Sequence, residues 1–384
     1  MLSNLFGKKT SLCPKGGICS GCEWIETPLP KQQQHKLSTQ VSLLNEWNIF
    51  FTGNLSITSL GKEAHRLFLD VTLQTEHNTP TLGFYDMNRE RIVSIGSCPA
   101  AIPDLQDFVT ALSKDLPPID QASFRLRVNP FGQWGMWIDA ANIDIRTLLN
   151  EQRWLNRWME QAHIEIGQRR KYLKRINNRL SLESPFPRQW FKTFLPNKNR
   201  EFVLWSVVGG FSQPSDNGVR HLVYAVTKLL YLCEEANTWL EFGAGSGTFT
   251  LPLSQLVNRV IATETSTLAR QSLQRALKHH SIENVKVSPI NLQRQTEQSV
   301  FLMEQADGLL VDPPRSGLGH TLLTIVKAKR KPRYILYVSC HGRTLSRDGE
   351  RLQTMGYTLQ HIEGVDQFPH TPHCEWIGLW TRKE

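Results

Sequence analysis

No apolar stretch in this 384-residue chain approaches the ~18–20 residues needed to cross a bilayer, so no membrane-spanning helix is expected. Met1 to Gly17 lacks a continuous apolar core ahead of a small-residue cleavage site, which argues against a secretory leader. Internal repeats and low-complexity tracts are missing as well. With 40% hydrophobic and 21% charged residues, the chain can build a sizeable core and is not wholly disordered. A cytoplasmic, monomeric protein of two domains is the expectation. Acidic residues are scarcer than basic ones, 35 against 44, for a net charge of +9. The imbalance is sharpest between Glu151 and Arg200, where four Glu face twelve Lys or Arg. At its centre stands Arg169-Arg170-Lys171-Tyr172-Leu173-Lys174-Arg175. Such a segment suits salt-sensitive contact with the phosphates of a nucleic acid, or else forms a solvated basic helix face.

Cysteine is sparse, with seven residues at 13, 19, 22, 98, 233, 340 and 374. The two paired sets usual in structural zinc sites are lacking. Instead Cys13, Cys19 and Cys22 crowd into Gly/Pro-rich backbone, and Cys98 offers a fourth thiolate. Disulfides are disfavoured in a reducing cytosol. Three cysteines plus one lean towards a [4Fe–4S] cluster, with zinc the alternative. Cys233 and Cys374 read as buried, unligated thiols.

From about Phe202 onward, apolar runs alternate with helix-length segments. The strand candidates are Thr238–Phe242, Val260–Thr263, Val285–Val287, Gly308–Val311, Tyr334–Val338, Leu359–Gly364 and Trp376–Trp380. Strand–helix alternation predicts an α/β fold with a mainly parallel sheet, and the last two runs, joined by a loop, predict an antiparallel hairpin. Residues 1–200 hold shorter strand-like runs, and Glu183-Ser184-Pro185-Phe186-Pro187 marks a boundary region. The expected division is 1–200 and 201–384.

Glu241-x-Gly243-x-Gly245-x-Gly247 follows a strand, as a nucleotide-binding turn does. Glu264 ends the next strand, 17 residues past Gly247, placed to accept bonds from ribose hydroxyls. Asn291 follows the third strand and could bond an adenine. A dinucleotide or S-adenosylmethionine would fit this layout. In Asp312-Pro313-Pro314-Arg315 an arginine occupies the place of the aromatic that amino-group methylation would need.

Phe211-Ser212-Gln213, Asp312-Pro313-Pro314-Arg315-Ser316-Gly317, Ser339-Cys340-x3-Thr344-x3-Asp348 and Phe368-Pro369-x-Thr371-x-His373-x-Glu375 occur in that order. In these motifs and in its N-terminal cysteines the chain resembles the RNA uracil-5-methyltransferases that act on transfer and ribosomal RNA. The resemblance implies a Rossmann-like, seven-stranded methyltransferase domain preceded by a mixed α+β RNA-binding domain carrying a Cys-ligated cluster. It implies Cys340 as nucleophile and Glu375 as base. Gln213, Gly243, Gly245, Thr248, Glu264, Asn291 and Asp312 would hold S-adenosylmethionine, and Cys13, Cys19, Cys22 and Cys98 the cluster. RNA would be the partner, ribosomal in preference to transfer RNA because the family's frequent N-terminal β-barrel is missing.

The chain departs from the family pattern at His341-Gly342, Gly243, Thr248 and Gln367, the last standing where Met is usual. The departures at Gly243, Thr248 and His341-Gly342 motivate a competing reading, an RNA-binding scaffold with a decayed site; a third, a NAD-dependent enzyme on the same Gly-rich fold, lacks a use for Cys340 and Glu375. His341 and Arg343 are candidate activators of the Cys340 thiol.

Overall fold

The structure, a computed structural model, describes residues 13–51, 53–61, 66–96, 98–140, 144–167, 171–177 and 179–383. Arg169 and Arg170 of the basic cluster, and most of the stretch read for a leader, lie outside the described residues. Along the chain come α1 (Leu29–Glu46), β1 (Ser56–Ser59), β2 (Phe68–Glu76), β3 (Thr79–Tyr85), β4 (Ile92–Ser94), α2 (Pro103–Lys114), β5 (Gln121–Val128) and β6 (Trp134–Asp139). Next are α3 (Ile145–Asn150), α4 (Gln152–Met159), β7 (Ala162–Ile166), β8 (Lys171–Ile176), β9 (Arg179–Glu183), β10 (Arg188–Leu195), β11 (Arg200–Ser206) and α5 (Asp216–Leu230). The remainder is β12 (Thr238–Phe242), α6 (Thr250–Ser254), β13 (Arg259–Thr263), α7 (Thr267–His279), β14 (Val285–Ser288), α8 (Glu297–Glu304), β15 (Gly308–Val311), α9 (Thr321–Lys327), β16 (Tyr334–Ser339), α10 (Gly342–Thr354), β17 (Tyr357–Asp366) and β18 (Glu375–Arg382).

All seven predicted strands are present, within a residue or two of the expected bounds. Every residue of β15 and β16 is buried, as expected where a parallel sheet is covered on both faces and its strands read as unbroken apolar runs. The sheet has eight strands, however, in the order β1-β17-β18-β16-β15-β12-β13-β14. β17 and β18 pair antiparallel as expected, but β18 inserts beside β16, and β1 pairs parallel to β17 from Ser56↔Glu363 to Ser59↔Asp366. Four residues, Ser-Ile-Thr-Ser, carry too little apolar pattern to announce a strand. A second eight-stranded sheet, β4-β3-β2-β5-β6-β7-β8-β9, fills the middle of the chain, with α2 packing Leu105, Phe108, Val109 and Leu112 into its core at helical spacing. The hairpin β10–β11 forms a sheet of its own.

The division at 200 needs amending, because α1 and β1 join the C-terminal sheet. α1 buries an unusual stripe, Gln32, Lys36, Gln40 and Leu44, at every fourth residue. Burying polar groups requires partners. Gln32 Nε2 donates to Trp24 O and Thr27 O, and its Oε1 accepts from His370 N. Lys36 Nζ meets Asp366 Oδ1 at 2.7 Å and Phe368 O at 3.2 Å, while Gln40 Nε2 reaches Ser346 Oγ at 3.2 Å. These bonds hold the loop between β17 and β18. Among the described residues no helix is long and apolar enough to cross a membrane.

Candidate active site

The carboxyl edge of the C-terminal sheet collects the chemistry, as open α/β folds dictate. The antiparallel pairing of β16 and β18 closes at Ser339 and Trp376, so Cys340 and Glu375 are the next residues on the two chains, near enough for the Glu375 charge to act on the thiol. β15 ends beside them, so Asp312 arrives at the same edge. Its loop is held by α10: Thr344 Oγ1 donates to Arg315 O at 2.9 Å, and Asp348 Oδ2 accepts from Leu318 N at 2.7 Å and Tyr337 Oη at 2.8 Å. Gly317 completes the turn with φ of +86°, where a Cβ would lie 2.3 Å from both Asp348 and Thr344. Thr344 and Asp348 therefore serve this edge as braces.

A cavity of about 350 Å³ opens next to this edge. It brings together Gln213, Gly243, Gly245, Thr248, Glu264 and Asp312. Gln213 precedes the Ser215 cap of α5, whose hydroxyl accepts from Gly218 N at 2.9 Å. The glycine turn needs its composition, since Gly243, Gly245 and Gly247 have φ of +72°, +56° and +102°. The Glu264 carboxylate is fixed by Gly245 N at 3.0 Å and Ser266 N at 2.6 Å. Asn291 does not line the cavity; its Oδ1 accepts from Gln293 N at 2.9 Å. Sequence reasoning missed Phe191 and Phe211 in the lining, the latter 79% exposed. Phe211 had a signal, because it opens the motif that contains Gln213.

Burial sets the electrostatics. Glu375, 4% exposed, has its carboxyl pushed up to about 8, by burial first and by the Asp312 charge second. Asp312 is pushed up to about 7 by burial. Glu241, beneath the glycine turn, rises to about 8 for the same reason, although Thr250 Oγ1 donates to it at 2.6 Å. The Cys340 thiol is half-buried, and burial, then Glu375 and Asp312, push it above its ordinary value. Arg315 opposes this through its charge and a hydrogen bond to the thiol. Arg315 and not Arg343 is thus the cation at Cys340, for Arg343 Nη1 pairs with Glu46 Oε1 at 2.7 Å. His341 Nδ1 lies 2.7 Å from Thr344 Oγ1, with its pKa lowered by burial and then by nearby arginines. Gln367 joins the two halves of the site. Its Nε2 donates to Gln213 Oε1 at 2.8 Å and to Glu375 Oε1 at 3.2 Å.

Elsewhere, Cys13, Cys19, Cys22 and Cys98 line one cavity of about 60 Å³ together with Arg66. Lys15 N donates to Cys13 Sγ and Gly21 N to Cys19 Sγ, both at 3.4 Å. Burial pushes the Cys22 thiol up to about 11, against the pull of Arg66. Among the described residues, no three His, Cys, Asp or Glu side chains are arranged to hold a single metal ion. Cys233 and Cys374 are buried and free.

This edge, with a thiol, a carboxyl and a cofactor-sized cavity on a Rossmann-like sheet, defines an α/β methyltransferase architecture. The family model for tRNA (Uracil-5-)-methyltransferase matches residues 145–384, and the chain belongs to that enzyme family. It is 34% identical to an uncharacterized RNA methyltransferase of Bdellovibrio bacteriovorus, over 99% of this chain and 97% of the other. It is 26% identical to the 23S rRNA (uracil(1939)-C(5))-methyltransferase RlmD of Erwinia tasmaniensis, over 97% of this chain and 82% of that one. The crystal structure of the Pyrococcus abyssi tRNA (uracil-54, C5)-methyltransferase with S-adenosyl-L-homocysteine superposes with a TM-score of 0.67 at 18% identity, covering 94% of this chain and 86% of that one, and shares the fold.

Proposed function

We propose that this protein transfers a methyl group from S-adenosylmethionine to carbon 5 of a uridine in RNA, 23S ribosomal RNA by preference. The observation that carries the reading is the Cys340 thiol and the Glu375 carboxyl just past the last β16–β18 pair, both within reach of the charge of Asp312, which lines the cavity. The likeness to RlmD along nearly the whole chain supports the ribosomal choice.

Bound in the cavity, S-adenosylmethionine supplies an electrophilic methyl group. Glu264 is placed for its ribose hydroxyls, and Gln213 and Asp312 for its polar end. Uracil carbon 5 is not nucleophilic by itself. Cys340 gives its proton to solvent water, with Arg315 favouring the anion, and Sγ bonds to carbon 6, moving the ring electrons to an enolate with a nucleophilic carbon 5. Carbon 5 then bonds the methyl carbon as the methyl–sulfur bond breaks and its electron pair stays on the sulfur, leaving a neutral thioether; Glu375 takes the remaining carbon 5 proton, the ring double bond re-forms and Cys340 leaves as thiolate. The uridine must leave its stack to meet both side chains, at a cost of a few kcal/mol in a duplex.

The four thiols around one cavity, with backbone N–H groups aimed at two of them, support a [4Fe–4S] cluster, with zinc the alternative. Cys13, Cys19, Cys22 and Cys98 would hold it, and it would cross-link the N-terminal loop to the middle sheet.

Trapping tests the reaction. With 5-fluorouridine RNA and S-adenosylmethionine, a methylated covalent adduct should form and vanish in Cys340→Ala. RNA binding with neither adduct nor methyl transfer in the wild-type chain would identify a scaffold instead. Mass-spectrometric mapping of 5-methyluridine in RNA from a deletion strain would name the target.

A further inference from the structure

The basic segment singled out in the sequence has no part in the chemistry above, yet its described residues wall a cleft. Lys174 and Arg175 on β8 face a space of about 1060 Å³, about three times the 350 Å³ of the cofactor cavity. Arg188 on β10 and Arg275 on α7 line it too, and Glu160 is the one carboxylate among the described lining residues. All four cations are exposed. Among the described residues, Lys174 alone of the four has a carboxylate within ion-pair distance, Glu183 at 3.5 Å. Arg175 bonds the Asn156 side chain and Arg275 the carbonyl of Pro187, both neutral, and Arg188 lies 4.8 Å over the Phe186 ring. Among the described residues, no carboxylate lies within ion-pair distance of these three arginines.

Charge is joined by open aromatic surface. Phe131 is 60% exposed and Phe186 40% exposed, both on the cleft wall. Arg188 and Tyr172 already contact the Phe186 ring, so its open part and the Phe131 ring are the surfaces left for bases, and unpaired bases are the ligand that joins a planar face to a phosphate. A duplex keeps its bases stacked and offers backbone alone. The cleft also adjoins the cofactor cavity. Trp190 and Phe191 are consecutive on β10, and Trp205 and Ser206 straddle β11; the first of each pair lines the cleft and the second the cofactor cavity. Successive strand residues face opposite sides, so hairpin β10–β11 is the shared wall.

We propose that this cleft is a second RNA-binding site, which grips an unpaired strand flanking the reacting uridine. Lys174, Arg175, Arg188 and Arg275 neutralise phosphates, and Phe131 and Phe186 stack bases. The inference rests on the RNA reading given above and extends it to a surface outside the chemistry.

Fluorescence anisotropy of the full chain with a labelled, single-stranded, uridine-containing RNA oligonucleotide tests it. Replacing Lys174, Arg175 and Arg188 together by Ala should flatten the salt dependence, log Kobs against log salt, by about 2, at roughly 0.7 per lost single-strand phosphate contact. The double variant Phe131→Ala/Phe186→Ala should weaken binding roughly tenfold or more with the salt slope unchanged. Trapping of 5-fluorouridine RNA below saturation should fall in both variants in step with the lost affinity. Unchanged affinity and slope in the triple variant, or equally tight binding of the corresponding duplex, would overturn the proposal. If wild type traps RNA while the variants bind normally, the cleft alone is refuted. If wild type binds RNA through the cleft but traps none, the methylation reading falls and the cleft stands. If it binds no RNA, both fall.

Discussion

Replacing Gln367 by Met isolates the contact between the cofactor side of the site and its base. Gln367 is 2% exposed and donates to Glu375 Oε1 from 3.2 Å. A buried hydrogen bond to a carboxylate contributes about 1.5–3 kcal/mol. At 1.36 kcal/mol per pH unit, its loss should raise the midpoint for ionising Glu375 by about one to two pH units. That midpoint already stands at about 8. Near neutral pH the ionised fraction of the base would then fall by roughly ten- to a hundredfold. Rapid-quench measurement of the methylated uridine adduct is the assay, followed from neutral to alkaline pH. The variant should accumulate adduct at neutral pH and recover the wild-type rate of release as pH rises. Glu375→Gln should accumulate it at every pH. Gln213 also loses a partner, so titration calorimetry with S-adenosylmethionine separates any loss of cofactor affinity. A uniform slowing across the pH range, or an unchanged profile, would refute the reasoning.

Further outcomes follow from the same geometry. Ionising Glu375 is disfavoured in the fold, so between the ordinary Glu range and about 8 the folded chain keeps a proton that the unfolded chain releases. Stability should fall as pH rises through that window, and Glu375→Gln should remove up to a few kcal/mol of this loss, seen as a Tm advantage larger near pH 8.5 than near pH 5. Arg315→Ala removes the cation at Cys340, so the pH midpoint for thiol alkylation by iodoacetamide should move upward. Lys36→Ala leaves Asp366 buried without its 2.7 Å partner, which should destabilise the chain by about 3–5 kcal/mol in urea unfolding. Gly317→Ala should lower catalytic turnover and thermal stability together, since the added Cβ meets Asp348 and Thr344 at 2.3 Å.

The parallel strands were legible because burial on both faces turns them into plain apolar runs, as in Gly308–Val311 and Tyr334–Ser339. Cys340, Glu375 and Asp312 were legible because each ends or begins such a run. β1 was not, since an edge strand of four residues takes its stability from the partner strand and not from its own pattern. The polar stripe of α1 misleads in the same way, because Gln32, Lys36 and Gln40 each depend on a partner more than 300 residues away. The basic cluster, weighed as a helix face, runs as strand over Lys171–Ile176, where the alternation of β8 with β7 and β9 overrides its charge. Gln367 drew notice only as a departure from the family pattern. Its two hydrogen bonds, to Gln213 and Glu375, depend on three segments meeting in space.

The N-terminal loop has a mechanical consequence for anyone trimming this protein. Trp24 N donates to His370 O at 2.9 Å, just after the cysteine loop and five residues before Glu375. A chain begun at residue 201 would shed β1, baring the Glu363–Asp366 edge of β17 to other molecules, and would also release the clamp on the segment that aims the carboxyl. Such a fragment should be sticky and inert even with every reacting group in place.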